Sequence, residues 1–374
     1  MADKEKGTIT EYRIYWLDNL RTFMIFLVVL CHAGWVYESS GLGALFWIVD
    51  DPSINNLSGI LNLITDIFAM PTIFFISGFF TPLSMKNKKV WVFLKSKFRR
   101  LIIPWIIAVL TLIPLYKIIF LYSRNLPQES WTTYFHWSNG IWGQNWLWFL
   151  PVLFLFNLLY LPFSKVKIRF PNIPLKSVVV GTFIVGFAYS LSMDIFGLQG
   201  WTKIGLLDFQ NERLLIYFMA FLMGALCFRL KVFNAKPGSK MLYIIVNATN
   251  WIPITVYIFF LLHPWFKPGH YIVSELVHRL ILWLSFQLSL LCLVYMMIET
   301  FRRHLDKPGK FRNELNKNAY GVYIIHVIVM GIFALIMLHI AIPSLLKYFV
   351  LTVSTYAACN LAIYSYRKVI KSKI

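Results

Sequence analysis

Charged residues are scarce in this chain, and their scarcity excludes most classes of protein. Only 14% of its 374 residues are Asp, Glu, Lys or Arg, while 58% are hydrophobic. A soluble globular domain carries about 25% charged residues. The composition therefore excludes an ordinary soluble enzyme, and it equally excludes a disordered or a fibrous chain. A protein embedded in a lipid bilayer is the class that remains.

Cysteine is also rare, and the common metal and nucleotide motifs are missing. The four cysteines lie in apolar runs and form no C-x-x-C pair, so no disulfide framework or metal site is indicated. Each is expected to pack as a small apolar side chain. The sequence contains no Gly-rich phosphate loop and no H-E-x-x-H. Residues 1–16 are polar and no cleavage site follows the first apolar run, which predicts a retained anchor rather than a signal peptide.

Long apolar runs are what the chain has in abundance, at about 20 residues for each crossing of a bilayer. Ten such runs cover residues 17–37, 60–83, 101–121, 145–163, 177–193, 212–229, 241–262, 276–299, 318–339 and 343–364. They predict an all-α integral membrane protein with about ten transmembrane helices. Residues 1–374 are expected to form one multi-pass domain with no appended soluble domain.

The chain has 36 basic and 16 acidic residues, a net charge of +20, and the positions of the basic residues indicate the membrane topology. Lys and Arg cluster before the first run and in every second connection, whereas the other connections hold only Arg124, Lys203 and Lys267. Cytosolic loops are the ones enriched in Lys and Arg. This pattern predicts both termini in the cytosol and a location in the cytoplasmic (inner) membrane. The charge is thereby explained without a nucleic-acid partner, although two clusters can also bind an anionic ligand.

The outer connections are rich in tryptophan, and two interpretations stay open. Such residues often anchor helices at the headgroup level. Alternatively, aromatic faces stack on sugar rings, which predicts an extracytoplasmic carbohydrate partner. The tryptophans concerned are Trp131, Trp137, Trp142, Trp146 and Trp148.

The first helix carries an arginine and a histidine, and ionisable groups are expensive in a bilayer and mark a functional site by default. His32 follows Arg21 by eleven residues, so their side chains share one helix face about 16 Å apart along the axis. A cation at the cytosolic edge suits a phosphate-bearing donor, and an imidazole deeper in the membrane suits a general base or nucleophile. A purely structural His32 is the alternative. Asp18 is expected to pair with Arg21 at i,i+3.

The second helix carries Asp66 at a depth similar to that of His32. Consecutive antiparallel helices usually pack together, so Asp66 is predicted to hold Nδ1–H of His32 and leave Nε2 free. The alternative is that Asp66 pairs with another group.

Three further polar features have both a functional and a structural interpretation. Arg99 and Arg100, in "KSKFRRLIIPW", either clamp the phosphates of a donor or meet lipid phosphate. His326, near the midplane of the ninth helix, either contacts the acceptor or packs in the core. Glu275 and Arg279 are predicted to form a structural pair at i,i+4.

Several motifs, in this order, resemble membrane acyltransferase family 3. They are the Arg21-x10-His32 spacing, "FFISGFF" at 74–80, "RRLIIPW" at 99–105, "WLWFLPVLFLF" at 146–156 and "NAYGVYIIHV" at 318–327. The opening stretch is most similar to the branch of glucan biosynthesis protein C. Trp146 and Ala69 stand where relatives often have His and Arg, which leaves the acceptor open.

The resemblance implies an integral-membrane O-acyltransferase that takes an acyl group of acetyl or succinyl type from cytosolic acyl-CoA. It implies His32 as the essential catalytic residue and Arg21 as its partner in the motif. Acyl-CoA is then a co-substrate, and no permanently bound cofactor is expected. The acceptor is expected to be an extracytoplasmic glycan or another compound with a hydroxyl group. From the residues themselves, Trp146, Trp148 and His326 are predicted to contact it.

Two other functions use the same features. A transporter of a polysaccharide or lipid-linked intermediate would line its path with intramembrane polar residues, although no pair of inverted broken helices is evident. A structural or signalling function accounts for the topology, but it gives no reason why Arg21 and His32 share one helix face.

Overall fold

The computed structural model describes residues 14–38, 45–130, 132–133, 144–165, 175–267 and 269–372. Within these residues, ten helical segments are long and apolar enough to cross a membrane, which confirms the predicted all-α membrane fold.

Twelve α-helices build these segments. They are α1 Tyr15–Gly34, α2 Asn56–Met85, α3 Val90–Lys97, α4 Ile103–Ser123, α5 Phe149–Lys165, α6 Leu175–Ile195, α7 Asn211–Arg229, α8 Lys240–Thr249, α9 Trp251–Phe266, α10 Glu275–His304, α11 Lys310–Leu338 and α12 Ser344–Ser372. A π-helical stretch, Phe98–Ile102, joins α3 to α4, and a 3₁₀ turn, Asn145–Trp148, leads into α5.

The core lies around α1 and α2. More than half of their membrane-crossing residues are buried inside the protein, 56% and 61%, against 17% for α6 and for α8–α9. Helices that are hydrophobic on all sides suit such inner positions. Helices α1 and α2 are therefore inner helices of the bundle, whereas α6, α8 and α9 lie at its rim.

Helix α1 runs in the same direction as α11, although most of the chain separates them. Thr22 Oγ1 donates to Asn316 Oδ1 at 2.5 Å, and His32 meets His326 ten residues further along each helix. Ten residues of helix span about 15 Å. The two helices thus keep one register over that length.

The end of the bundle where α1 begins is called the basic end. Here the side chain of Asn19 donates to the carbonyl of Leu305 at 2.7 Å, and the hydroxyl of Tyr320 donates to the carbonyl of Arg100 at 2.6 Å. The π-helical turn therefore lies beside α11, and the start of α1 lies beside the chain that follows α10. The opposite end is called the far end.

A short hairpin and the 3₁₀ turn complete the far half of the molecule. Strand β1, Trp201–Ile204, pairs antiparallel with β2, Leu207–Gln210, in the register Ile204↔Leu207. The connection uses Gly205 at φ 49°, a left-handed conformation that suits a two-residue hairpin loop. Asp208 of β2 accepts from the backbone N–H of Gln144 at 2.7 Å, so the hairpin fixes the start of the 3₁₀ turn.

Candidate active site

The imidazole rings of His32 and His326 meet between α1 and α11. Nδ1 of His32 lies 2.7 Å from Nε2 of His326. The ring planes differ by 3° and their centroids are 5.0 Å apart. With the nitrogens that close, this centroid separation places the rings edge to edge in nearly one plane, as an in-plane hydrogen bond requires.

The two histidines differ in exposure. His326 is completely buried, whereas His32 is partly exposed. The ring of Trp47 lies against His32 with a centroid separation of 4.8 Å. Trp47 is held in turn through its carbonyl, which accepts from Arg124 Nη2 at 3.1 Å. The segment before α2 therefore covers one side of the His32 imidazole.

A reciprocal pair of hydrogen bonds holds the helical turn that precedes His326. The indole N–H of Trp146 donates to the carbonyl of Ile324 at 2.9 Å, and the hydroxyl of Tyr323 donates to the carbonyl of Trp146. The carbonyl of Tyr323 lies 2.7 Å from Nδ1 of His326. These two hydrogen bonds thus join the 3₁₀ turn to α11 in the helical turn that precedes His326.

This arrangement changes the positions expected for two acceptor-binding residues. Trp146 is 2% exposed and its indole N–H is already bonded, so it is not placed to stack on a sugar. His326 is sealed from the surface and contacts His32 instead of an acceptor. Both residues lie in the core, where His326 contacts the imidazole of His32 and Trp146 holds the turn before His326.

Gln144, directly before the 3₁₀ turn, is held by two hydrogen bonds. Its side-chain oxygen accepts from the indole of Trp105 at 3.1 Å, while its backbone is held by Asp208. Burial raises the pKa of the Asp208 carboxyl, and the hydrogen bond from Gln144 opposes that shift. The hairpin therefore positions Trp146 through a desolvated carboxyl group.

The predicted contact between Asp66 and His32 is wrong. His32 uses Nδ1 for His326, and Asp66 forms an ion pair of 2.5 Å with Arg213 of α7. Helices α1 and α2 do pack together, but the buried guanidinium of Arg213 attracts the carboxylate more strongly than an imidazole does. Tyr257 accepts a further hydrogen bond from Arg213 at 3.3 Å.

Asp66 is nevertheless open to a partner. Its side chain is 49% exposed, whereas that of Arg213 is 6% exposed. Buried charges must be paired, so the buried guanidinium of Arg213 holds the side chain of Asp66 in place. The result is a fixed carboxylate part-way along α2, within electrostatic range of Cys31, the neighbour of His32 in the sequence.

The predicted donor-binding residues lie at the basic end. The pair of Arg21 with Asp18 is confirmed, at 3.1 Å, and Arg21 also donates to the carbonyl of Asn316 at 3.3 Å. Arg99 and Arg100 lie in the π-helical turn with exposed side chains. A π-helical turn inside a longer helix often occurs at a functional position.

Aromatic residues of the far half converge on Trp148. Its ring lies 5.4 Å from that of Trp201 in the hairpin and 5.8 Å from that of Tyr217 in α7, centroid to centroid. Trp148 is partly exposed and Trp201 is 51% exposed. The predicted loop residues Trp131, Trp137 and Trp142 lie outside the described residues.

Two other sequence predictions concern structural groups. Glu275 and Arg279 do pair, and Arg279 also reaches Asp194 at 3.4 Å. The four cysteines are free within the part of the chain that the structure describes.

Sequence reasoning missed the polar ladder that fixes α1 against α11. Asn316 donates to Asn19 at 3.0 Å and accepts from Thr22. A signal for this contact exists: Thr22 and His32 are ten residues apart, as are Asn316 and His326. Two polar pairs with equal spacing indicate parallel helices in register. In the sequence, Arg213 is one basic residue at the start of an apolar run, and nothing there indicates its pairing with Asp66.

Comparison with known proteins places the chain in a family. A family model described as an acyltransferase domain matches residues 14–364, which includes all of the groups discussed above. Neither a curated protein nor a solved structure matches the chain. The match is to the family as a whole and does not single out the glucan branch. On this match, the chain belongs to acyltransferase family 3 and is a multi-pass membrane acyltransferase.

Proposed function

We propose that this acyltransferase uses His32 to move an acyl group from acyl-CoA, which binds at the basic end, to a hydroxyl that enters from the far end. The observation that carries the proposal is the environment of the imidazole. Nδ1 of His32 is engaged by His326, while the residue as a whole remains partly exposed. Nε2 is therefore the nitrogen available for proton transfer or for attack on a thioester.

Electrostatics supports binding of the donor at the basic end. Arg99 and Arg100 present two guanidinium groups at the surface, and guanidinium binds phosphate through paired hydrogen bonds. Arg21 lies on the same helix as His32, about 16 Å along the axis. The pantetheine arm of acyl-CoA is long and thin enough to bridge such a distance while its phosphates stay outside.

The excess of Lys and Arg at this end supports a cytosolic orientation. Acyl-CoA is a cytosolic metabolite, so both considerations support a donor site on the cytosolic side. The hydroxyl acceptor then approaches from the extracytoplasmic side of the cytoplasmic membrane.

The chemical step needs one base. Nε2 of His32 takes the proton of the acceptor hydroxyl as its oxygen attacks the thioester carbonyl. The carbon–sulfur bond breaks, and the CoA thiolate leaves with the proton returned from His32. In the variant route, Nε2 attacks the thioester carbonyl first, and the carbon–sulfur bond breaks to release the CoA thiolate. The hydroxyl oxygen then attacks the acyl group, the bond from Nε2 to the acyl carbon breaks, and the proton of the hydroxyl passes to the thiolate. Both routes yield the same ester and free CoA.

A carbohydrate acceptor is supported by the aromatic residues around Trp148. The exposed faces of Trp148 and Trp201 are suited to stacking on sugar rings, and the half-exposed Asp66 is suited to accepting hydrogen bonds from hydroxyls. We place Asp66 at the acceptor rather than on His32. Trp148 therefore remains an acceptor-binding residue in the proposal.

Turnover of acetyl-CoA by purified protein in nanodiscs tests the proposed reaction. We expect His32→Gln to lower the rate of CoA release by about 10²–10⁴-fold, the usual contribution of a general base. His339→Gln, at an exposed helix end, is the matched control and should match the wild type. A folded His32→Gln protein with the wild-type rate overturns the proposal. Vesicle uptake of an oligosaccharide without CoA release supports the transporter alternative.

The acceptor is tested separately, with maltotetraose as a neutral oligosaccharide probe. Trp148→Ala should raise the KM for the probe several-fold and leave the KM for acetyl-CoA unchanged. Trp265→Ala, which removes another exposed tryptophan, should change neither. Acetyl transfer to lipid hydroxyls but to no oligosaccharide would contradict a carbohydrate acceptor and leave the role of His32 intact.

A further inference from the structure

We infer that His326 is a positioning residue that fixes which nitrogen of His32 reacts. The inference rests on the proposed function, because it assumes that His32 performs the chemistry. It adds a role for a second, buried histidine and for the backbone carbonyl behind it. Three groups form the relay: the carbonyl of Tyr323, the ring of His326 and the ring of His32.

The direction of the relay follows from its inner end. A carbonyl oxygen only accepts hydrogen bonds, so His326 must carry its proton on Nδ1, which lies 2.7 Å from the carbonyl of Tyr323. Nε2 of a neutral His326 then holds a lone pair and accepts. The 2.7 Å contact with His32 consequently requires the proton of His32 to sit on Nδ1.

The outer end of the relay is the reactive nitrogen. With its proton on Nδ1, a neutral His32 has its lone pair on Nε2, which points away from His326. The coplanar rings leave little freedom for His32 to rotate without breaking the hydrogen bond. One tautomer and one ring orientation are thus selected before either substrate binds.

The surroundings keep His326 neutral and in place. Its ring is completely buried, and desolvation disfavours a charged imidazolium. The clamp between Trp146 and the turn of Tyr323 and Ile324 fixes the carbonyl that orients it. The carboxylate expected to orient His32 lies elsewhere, paired with Arg213. A neutral imidazole therefore replaces the carboxylate that orients histidine in hydrolase triads.

Two substitutions at one position separate orientation from packing. His326→Leu fills the space but cannot accept a hydrogen bond. His326→Gln has a side-chain oxygen that can accept from Nδ1–H of His32. We expect His326→Leu to lower kcat by about 10–100-fold, as loss of an orienting partner commonly does, with the KM for acetyl-CoA unchanged. His326→Gln should recover most of that kcat, and His339→Leu is the control.

The tautomer is measured without reference to activity, by ¹⁵N NMR of histidine-labelled protein in nanodiscs. We expect one signal of an Nδ1-protonated imidazole to vanish in His32→Gln, which assigns it to His32. In His326→Leu, the signal of His32 should move toward that of the tautomer mixture of a free histidine side chain in water. The spectra report the tautomer of His32 whether or not His32 is the base. A failure of the proposed function can therefore be told apart from a failure of this inference.

Three results would overturn the inference. The first is a His32 signal protonated at Nε2 in the wild-type protein. The second is a His326→Leu protein with wild-type kcat. The third is a folded His326→Gln protein that is as slow as His326→Leu while the His32 signal stays unchanged in both, because His326 would then act through packing alone.

Discussion

Gly78 of α2 and Gly224 of α7 each lie against the backbone of the other helix. A methyl group at Gly78 would lie 1.9 Å from the carbonyl oxygen of Phe221, and one at Gly224 would lie 1.9 Å from that of Phe75. Small residues allow membrane helices to approach this closely, and dispersion contacts then hold them together. Helix α7 carries Arg213, so this contact also sets where Asp66 finds its partner.

Gly78→Ala should therefore destabilise the protein strongly. The clash is with backbone, which cannot move aside as a flexible side chain does, so the cost should reach or exceed the ~1–3 kcal/mol typical of overpacking. Gly59→Ala, in the same helix but facing open space, should be neutral or slightly stabilising. Thermal unfolding in detergent measures both. Equal melting temperatures for the two variants would contradict the close approach.

The ion pair of Lys347 with Asp51 is a second stability test. The two groups are 2.8 Å apart with side chains 2% and 0% exposed, and they join α12 to the segment before α2. Lys347→Met should cost about 3–5 kcal/mol, because it leaves a buried carboxylate without a partner. Lys317→Met breaks a more exposed pair with Glu314 and should cost under about 1 kcal/mol. Chemical denaturation compares them, and similar losses would contradict the difference in burial.

Arg99 and Arg100 should govern affinity for the donor rather than the chemical step. Replacing both with Gln should raise the KM for acetyl-CoA and leave kcat near the wild-type value. The effect should shrink at high salt, because exposed charges are screened. The backbone contact from Tyr320 to residue 100 survives the substitution, so the fold is preserved. Lys236→Gln, an exposed cation elsewhere, is the control; an equal rise in KM there would indicate a nonspecific charge effect.

Asp208 should make stability depend on pH. Since burial raises the pKa of its carboxyl in the folded protein, the folded state holds this proton at pH values where the unfolded chain has lost it. Its contribution to stability therefore falls as the pH rises from about 4 through the folded-state pKa. Asp208→Asn keeps an oxygen for the N–H of Gln144 and removes this dependence. Melting temperatures recorded against pH check it, and an unchanged slope would refute the assignment.

Much of the fold was predictable, because crossing a bilayer imposes long apolar segments that the sequence shows directly. All ten predicted runs correspond to helices. Several helices extend beyond their apolar runs, and α11 starts at Lys310 rather than near residue 318. Its first two turns are polar and lie at the basic end, so hydropathy does not detect them.

The site was harder to predict, since its contacts join helices that are distant in the chain. Both His32 and His326 stood out as ionisable residues in apolar runs, but their contact did not. The prediction for Asp66 assumed that neighbouring helices supply each other's polar partners. Arg213, from a third helix, forms the ion pair with Asp66 instead. Hydropathy also gave no sign of the hairpin that holds Gln144.

The parallel register of α1 and α11 has a consequence for biosynthesis. Among the ten membrane-crossing segments of the described residues, His32 belongs to the first and its partner to the ninth, so α1 leaves the ribosome well before α11. Contacts so distant in sequence form late, after the intervening loops have closed. A nascent or truncated chain that lacks α11 therefore already carries His32 but not the imidazole that its Nδ1 contacts, so the histidine pair forms only after α11 has been synthesised.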